Sequence, residues 1–312
     1  MDERRLAARR FEQRLAMGTV LVPLLGVVTV CVLAWSWGVS ALDLSLCGGM
    51  FALSSLGVTT GFHRLFTHGS FKARRGLQAV LAVAGSMSAQ GPLLFWAAAH
   101  RRHHQYSDQA EDPHSPRTDG VGLRAYGRGL WHAHVGWMFR HQHDDWGRYV
   151  PDLLRDRMLF DLSQTYFVWV GLGILLPGGL GGLFSGTWQG ALSGALWGGL
   201  VRIFLVHHTT WSVNSICHML GQRPYATHDH STNHWLCALL TFGEGWHNNH
   251  HAFPTSARHG LAWWEMDITY WLIRMLQAIG LVWDVKCPDA KARAAKRQRA
   301  LGASRILMGR RT

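Results

Sequence analysis

Hydrophobic positions along this chain gather into long uninterrupted runs instead of alternating with polar ones. Four runs reach the roughly 20 residues that a helix needs to cross a bilayer. They lie at about 17–39, 41–62, 160–183 and 187–206. Neither Lys nor Arg occurs within 18–62 or within 158–201. A Gly-rich turn around Pro177–Gly186 is predicted to separate the third and fourth runs. Another apolar stretch, 77–99, is broken by Gln78, Ser86, Ser88, Gln90 and the Gly91-Pro92 pair. It predicts a helix on or near the membrane, a turn, and a second helix. The expected architecture is an all-α integral membrane protein, with four transmembrane helices as two hairpins and a helical cytoplasmic cap. Residues 1–16 form a basic N-terminus, 17–286 the membrane domain and 287–312 a basic tail.

Composition sharpens this picture. Of 312 residues, 48% are hydrophobic and 16% charged, against about 25% charged in soluble domains. Disorder is thereby excluded. Five cysteines (Cys31, Cys47, Cys217, Cys237, Cys287) are odd in number, scattered and without a CxxC pair. They read as reduced thiols, not a disulfide framework. The net charge is +12, and its placement sets orientation. Arg4, Arg5, Arg9, Arg10 and Arg14 precede the first run; Arg64, Lys72, Arg74 and Arg75 follow the second. Lys286, Lys291, Arg293, Lys296, Arg297 and Arg299 lie in or beside the tail. The positive-inside rule then places both termini and the loop 64–157 in the cytoplasm. No signal-peptide pattern is seen. The basic runs read as topology and contact with anionic lipid, and no basic–aromatic module suggests nucleic acid.

Twenty histidines are the second anomaly. His63 and His68 follow the second run; His100, His103 and His104 form HRRHH before the third. Asn214 and His218 follow the fourth run, and His247, His250 and His251 form HNNHH. On a helix, HxxHH places three imidazoles at i, i+3 and i+4 on one face, and Asn214 and His218 are likewise i, i+4. His63 and His68 sit about 140° apart on an ideal helix, so they converge only where the helix ends or unwinds. His132, His134, His141, His143, His207, His208, His228, His230 and His234 read as surface or satisfied core residues. Nine neutral imidazoles in one layer suit metal. Their count exceeds the four ligands of one zinc and favours two metals with four or five His each. Imidazole suits Fe, Cu, Zn and Ni alike; haem is disfavoured because the His lie at span ends. A dinuclear, redox-active iron site is the best physical reading.

The boxes 63–68, 100–104 and 247–251 resemble the three His boxes of the membrane-bound fatty acyl desaturases. The delta-9 acyl-CoA and acyl-lipid subfamily, bacterial type, is the nearest in pattern. GxHRLxTH at 61–68, DPHSP at 112–116, HVGWM at 134–138, TWxVNSxxH at 210–218 and GEGWHNNHHxFP at 243–254 carry the likeness. It spans about 53–286. The resemblance implies that the nine box histidines bind two Fe ions and that Asn214 holds a water on one of them. It implies a reaction taking O2 and two electrons and leaving a cis double bond, at carbon nine in this subfamily. An unactivated C–H bond is beyond acid–base chemistry, so a cofactor must supply the oxidant while the protein supplies position and dryness. The resemblance also implies a bent acyl tunnel. Trp96 and Trp211 are candidates for its walls and Thr210 for its bend, with aromatic packing at a helix end equally open. Cys47, Phe51 and Ser55 share one face of the second run, and Phe51 lies about 18 Å before His63, where its bulk would limit chain length.

Where acyl-CoA members of animal type carry an Arg-Asp pair before the second box, this chain has Ala98 and Ala99. Where they carry Arg-Lys after HVGWM, it has His141 and Gln142. That favours a lipid- or carrier-linked acyl chain over CoA. Arg101, Arg102, Arg124, Arg128 and Arg140 remain available to a phosphate or the membrane surface. No haem, flavin, nicotinamide or iron–sulfur motif is present, so electrons are expected from a separate ferredoxin or cytochrome b5-like protein with its reductase, steered by the basic face. A hydroxylase, acetylenase or ketolase of the same diiron superfamily is the alternative, and a non-catalytic metal transporter or sensor a remote one. Composition points to a bacterial plasma membrane.

Overall fold

The start of the second apolar helix is written in four residues. Ser40 Oγ accepts from the Asp43 backbone N–H at 3.1 Å, and Asp43 Oδ2 accepts from the Ser40 N–H at 3.0 Å. This reciprocal capping satisfies donors that a helix N-terminus leaves open. The computed structural model describes residues 3–116, 122–140 and 145–297. His141, Gln142, His143 and Arg299 lie outside the described residues, as do the side chains of Arg4 and Arg5.

The described chain is mostly helical. It runs α1 (Glu3–Trp37), α2 (Ala41–Leu56), a π-helical segment (Gly57–Thr67), α3 (Arg75–Ser86), α4 (Leu93–Tyr106), α5 (Leu123–Trp131), a short second π-helical segment (His132–Gly136) and α6 (Trp137–Arg140). Then come α7 (Pro151–Leu154), α8 (Arg157–Gln164), α9 (Tyr166–Ser185), α10 (Trp188–Gly194), a third π-helical segment (Ala195–Val201) and α11 (Arg202–Ser215). Last are α12 (Trp235–Leu240), α13 (His247–Ala252) and α14 (Ile268–Ala278). Among the described residues a small sheet pairs β1 (Lys72–Ala73) antiparallel with β2 (Val282–Trp283), Lys72 opposite Trp283. Among the described residues four helices are long and apolar enough to cross a membrane: Ala7–Trp37, Ala41–Thr67, Tyr166–Ser185 and Trp188–His218.

The chain forms two compact units. The first comprises Met1–Phe62, Gln78–Ala99 and Val135–His208. In it the apolar helices pack through small residues, as helices in lipid do. A Cβ on Gly181 would lie 2.2 Å from the Gly190 carbonyl, and one on Gly194 would lie 2.3 Å from that of Pro177. Val30, Cys47, Leu196 and Val201 form the core where α1 and α2 meet the third π-helical segment. The second unit comprises His63–Leu77, His100–His134 and Thr209–Thr312.

Three expectations need correction. The turn predicted around Pro177–Gly186 is confined to its far end, Gly186–Thr187: Pro177 lies inside α9, which runs to Ser185 and ends on Gly186 in the left-handed region. Pro177 has no N–H for the Gly173 carbonyl one turn earlier. Arg202 Nη2 donates to that carbonyl instead, at 2.5 Å, while Nη1 donates to Met87 O at 2.5 Å and Nε to Gly198 O at 3.0 Å. One buried guanidinium thus stands in for a missing backbone donor. The third run begins at Tyr166, not near 160, because the Thr165 hydroxyl donates to Asp161 O at 2.9 Å and a break follows α8. The fourth continues past 206 because its polar residues find carbonyls: His207 Nε2 lies 2.9 Å from Ser88 O and 3.0 Å from Ala89 O. The 77–99 stretch does form helix, turn and helix.

Replacing Arg202 by Met strands buried carbonyls at about 1–3 kcal/mol each. The variant is expected to melt several degrees lower in detergent. The same change in a Pro177→Ala background is expected to cost less, because the introduced alanine supplies the N–H that the Gly173 carbonyl lacks. Equal losses in both backgrounds would contradict the carbonyl-replacement account.

Candidate metal centre

The first pair of histidines is brought together by helix type. Gly57–Thr67 is π-helical, and the His68 N–H donates to His63 O at 3.2 Å, an i→i+5 bond. Such bonds stack residues five apart that an α-helix would splay. His63 and His68 are 4.9 Å apart between ring centres. His100, His103 and His104 sit on α4, and His247, His250 and His251 on α13. His218 closes a short 3-10 turn after α11 (Ile216–His218), so Asn214 and His218 do not share one continuous α-helix as expected.

All nine lie in the second unit, and their Nε2 atoms gather into two groups. His63, His68, His100, His104 and His250 form one; His103, His218, His247 and His251 form the other. In the first, Nε2 atoms approach at 3.1 Å (His63–His250, His68–His100, His100–His104) and 2.8 Å (His104–His250). In the second the approaches are 3.3 Å (His103–His251), 3.0 Å (His247–His251) and 3.0 Å (His218–His247). Each HxxHH motif is therefore divided. Its i and i+4 members enter one group and its i+3 member the other, so the three imidazoles do not converge on one point.

Two nitrogens each about 2.0–2.1 Å from a metal lie roughly 2.9 Å apart at a right angle and roughly 3.4 Å apart at a tetrahedral angle. The observed 2.8–3.3 Å separations match neighbouring ligands on one ion. The donors are all imidazole nitrogens, five and four in number, so each group can hold a metal ion.

Residues 37–283 match the fatty acid desaturase family. The chain is a member of that family. It is 46% identical over 279 residues to the hex-5-enoyl-[acyl-carrier protein] acetylenase of Moorena producens, covering 89% of this chain and 87% of the relative. It is 41% identical over 264 residues to the sn-1 stearoyl-lipid 9-desaturase of Anabaena variabilis, covering 82% and 87%. It is 39% identical over 260 residues to the icosanoyl-CoA 5-desaturase of Limnanthes douglasii, covering 81% and 67%. The protein is thus an oxidoreductase acting on acyl chains.

Around the histidines of this desaturase-family protein stands a ring of carboxylates. Asp112 places both oxygens 3.0 Å from His103 Nδ1. Asp108 Oδ2 lies 3.0 Å from His218 Nδ1, and Asp229 Oδ2 lies 2.7 Å from His251 Nδ1. Glu244 meets His63 Nδ1. A carboxylate on Nδ1 fixes the tautomer and leaves Nε2 to the metal. Glu244 is held in turn by Arg64, whose Nη2 reaches its Oε1 at 2.9 Å, and Arg64 Nη2 also lies 2.9 Å from Asp267 Oδ1. Arg64 is fully buried, so it is no topology charge, contrary to its place in the basic count. None of the four carboxylates stood out in the sequence as a partner. The signal was there: Asp108 and Asp112 follow His104 by four and eight residues, and Glu244 precedes His247 by three.

Electrostatics suit this role. Burial opposes ionisation of Asp108, yet His218 and backbone donors bring it down to about 2. Burial likewise opposes ionisation of Asp112, Asp229 and Glu244, and the histidines beside them (with Arg64 at Glu244) hold all three well below the usual carboxylate range. Burial depresses His68, His100, His104, His247 and His250, and neighbouring imidazoles add to it. Burial also brings His251 down to about 4 against the pull of Asp229.

The remaining candidates are less convergent. Asn214 is half-buried near the end of α11. Trp211 is buried with its ring 5.8 Å from that of His134, and Thr210 is half-buried. In the first unit, Trp96 packs edge-on to Phe62 at 5.9 Å and donates to Gln90. Cys47 and Ser55 are buried and Phe51 half-buried on α2. Arg101 donates to the Thr67 and Phe66 carbonyls at 3.0 Å, and Arg102 to that of Glu111 at 3.0 Å, whereas Arg124, Arg128 and Arg140 are exposed.

Two outcomes are expected. Asp112→Asn should weaken metal retention about 10–100-fold, read as metal per chain after dialysis. Protons should also compete for the imidazoles. The six depressed histidines lie below their ordinary 6.5 in the folded chain, with His251 at about 4, so the unfolded chain binds more protons between these values. Stability and retained metal should therefore be full above about 6.5 and fall as pH drops toward 4.

Proposed function

We propose that this protein is an O2-dependent fatty acyl desaturase of delta-9 type that works with a non-haem diiron centre. The observation that carries the reading is the pair of Nε2 clusters, five and four, in a chain of the desaturase family. His63, His68, His100, His104 and His250 would hold one iron; His103, His218, His247 and His251 the other, with Asn214 holding a water. Two irons would supply the O2-derived oxidant that an unactivated C–H bond requires. O2, two electrons, two protons and two substrate hydrogens leave as two waters and a cis alkene. The chain's own part is to fix the ligands through Asp108, Asp112, Asp229 and Glu244 and to keep the site dry.

The four apolar helices would form two hairpins, with both termini and the histidines on the cytoplasmic side of a plasma membrane. The electron donor would be a separate acidic ferredoxin or cytochrome b5-like protein. With Ala98 and Ala99 in place of a charged pair, a lipid- or carrier-linked acyl chain is favoured. A second reading, acetylenase, draws on the 46% identity to an enzyme acting on a carrier-bound enoyl chain.

The test is the fatty acid profile of a host that expresses the chain and supplies ferredoxin and reductase, beside a His104→Ala control. A cis monoene at carbon nine, absent from the control, is expected. An alkyne would favour the second reading, and equal products from the His104→Ala chain would refute the ligand assignment. Comparing lipid, CoA and carrier pools identifies the headgroup. Phe51→Ala is expected to shift the accepted chains toward greater length; an unchanged chain-length profile would remove Phe51 from that role.

A further inference from the structure

The second unit holds the histidines, yet one of its faces is apolar and open. In α12 the four residues Trp235, Leu236, Leu239 and Leu240 are exposed, while Cys237 and Ala238 between them are buried. Along α14 and its C-cap, Trp271, Met275 and Ile279 recur at four-residue spacing on the exposed side, opposite buried Thr269, Ile273 and Leu276. The two stripes are joined. The Thr269 N–H and hydroxyl both donate to Phe242 O, at 3.0 and 2.9 Å, tying the start of α14 to the end of α12. Trp246 Nε1 donates to Met266 O at 2.7 Å, and its ring packs edge-on to Trp264. In the same turn Trp263 is 93% exposed, although it neighbours this apolar surface.

A soluble surface of this kind would be an aggregation hazard. Its composition names a different occupant. Tryptophan is enriched at bilayer interfaces, where ring and N–H meet different media. The only charge on α12 and α14 is Arg274, which is basic and exposed. Arg74 joins from the side, its Nε donating to Gly280 O at 3.0 Å, next to Ile279. Lys72, opposite exposed Trp283 in the small sheet, is ion-paired with exposed Asp284 at 3.2 Å, so the unopposed basic edge is Arg274 and Arg74. Apolar and indole side chains edged by basic residues are what an anionic lipid surface binds. Thr67 and His218, where two of the four bilayer-length helices end, belong to this same unit.

We propose that α12, the Trp263–Met266 turn and α14 form a membrane-seating face that lies in the headgroup–acyl boundary of an anionic bilayer. It adds a peripheral contact to the four spans. It rests on the bilayer reading of those spans and not on the desaturase chemistry.

The test uses the full chain in vesicles of phosphatidylcholine and phosphatidylglycerol, with single nitroxide labels at Trp263→Cys, Met275→Cys and Ile279→Cys in a Cys31→Ser, Cys287→Ser background. Lys291→Cys, exposed in the C-terminal tail, is the aqueous control, and Val32→Cys, exposed on α1, the spanning control. Labels at 263, 275 and 279 are expected to collide with a water-soluble nickel chelate about fivefold less than the label at 291, and more with O2. Chelate access at these positions equal to that at 291 would overturn the proposal. So would shielding accompanied by spin–spin broadening that vanishes on dilution with unlabelled chain, since the face would then join two copies. A chelate-accessible label at 32 would overturn the bilayer reading and this proposal with it. Three independent exposed positions keep the result from resting on one variant's folding, and none depends on iron or turnover.

Discussion

The pairing of buried carboxylates with imidazole Nδ1 atoms is the constraint on which the site depends. A neutral imidazole offers one lone pair, and which nitrogen offers it is decided by the hydrogen bond on the other. Asp108, Asp112, Asp229 and Glu244 settle that choice for His218, His103, His251 and His63. Their Nε2 atoms are left to converge with those of five further histidines. Buried carboxylates are costly unless hydrogen-bonded or paired. Arg64, between Glu244 and Asp267, and the backbone N–H groups that meet Asp108, Asp112, Asp229 and Asp267 meet that requirement.

A second theme is the use of irregular helix where regular helix would fail. The π-helical turn before His68 changes the angular spacing of its two histidines. The π-helical segment before Arg202 and the proline inside α9 each disturb the backbone ladder, and Arg202 supplies the donor that Pro177 lacks. In lipid an unmet carbonyl has no water to turn to, so a buried arginine is the more economical solution there than in a soluble core. The same logic lets polar His207 sit in an apolar helix, facing Ser88 and Ala89 carbonyls.

Much of this was legible in the sequence because the relevant signals are local. Runs free of Lys and Arg identify helices that lipid can surround. The two HxxHH motifs mark one-sided imidazole clusters, since helical spacing is a property of the chain alone. The carboxylates were not legible in the same way. Asp229 lies 22 residues from His251, and Asp108 lies 110 from His218. Even where a carboxylate stands near a His box, as Asp108 does after His104 and Glu244 before His247, the spacing does not name the imidazole it meets, which is His218 or His63. Arg64 misled for the same reason: as a letter beside an apolar run it reads as a surface cation, and only burial against Glu244 and Asp267 shows its use.

Sequence by itself determined the helical class, the four bilayer-length runs, the nine histidines and the family to which they point. Tertiary structure decided how those histidines are shared. The i and i+4 members of each motif take one cluster and the i+3 member the other, because neighbouring imidazoles on one turn diverge enough to reach different centres. It also decided that Pro177 continues a helix, since the donor that rescues Gly173 comes from another helix, 29 residues along the chain. Spacing fixes which side chains share a face; only packing fixes what that face meets.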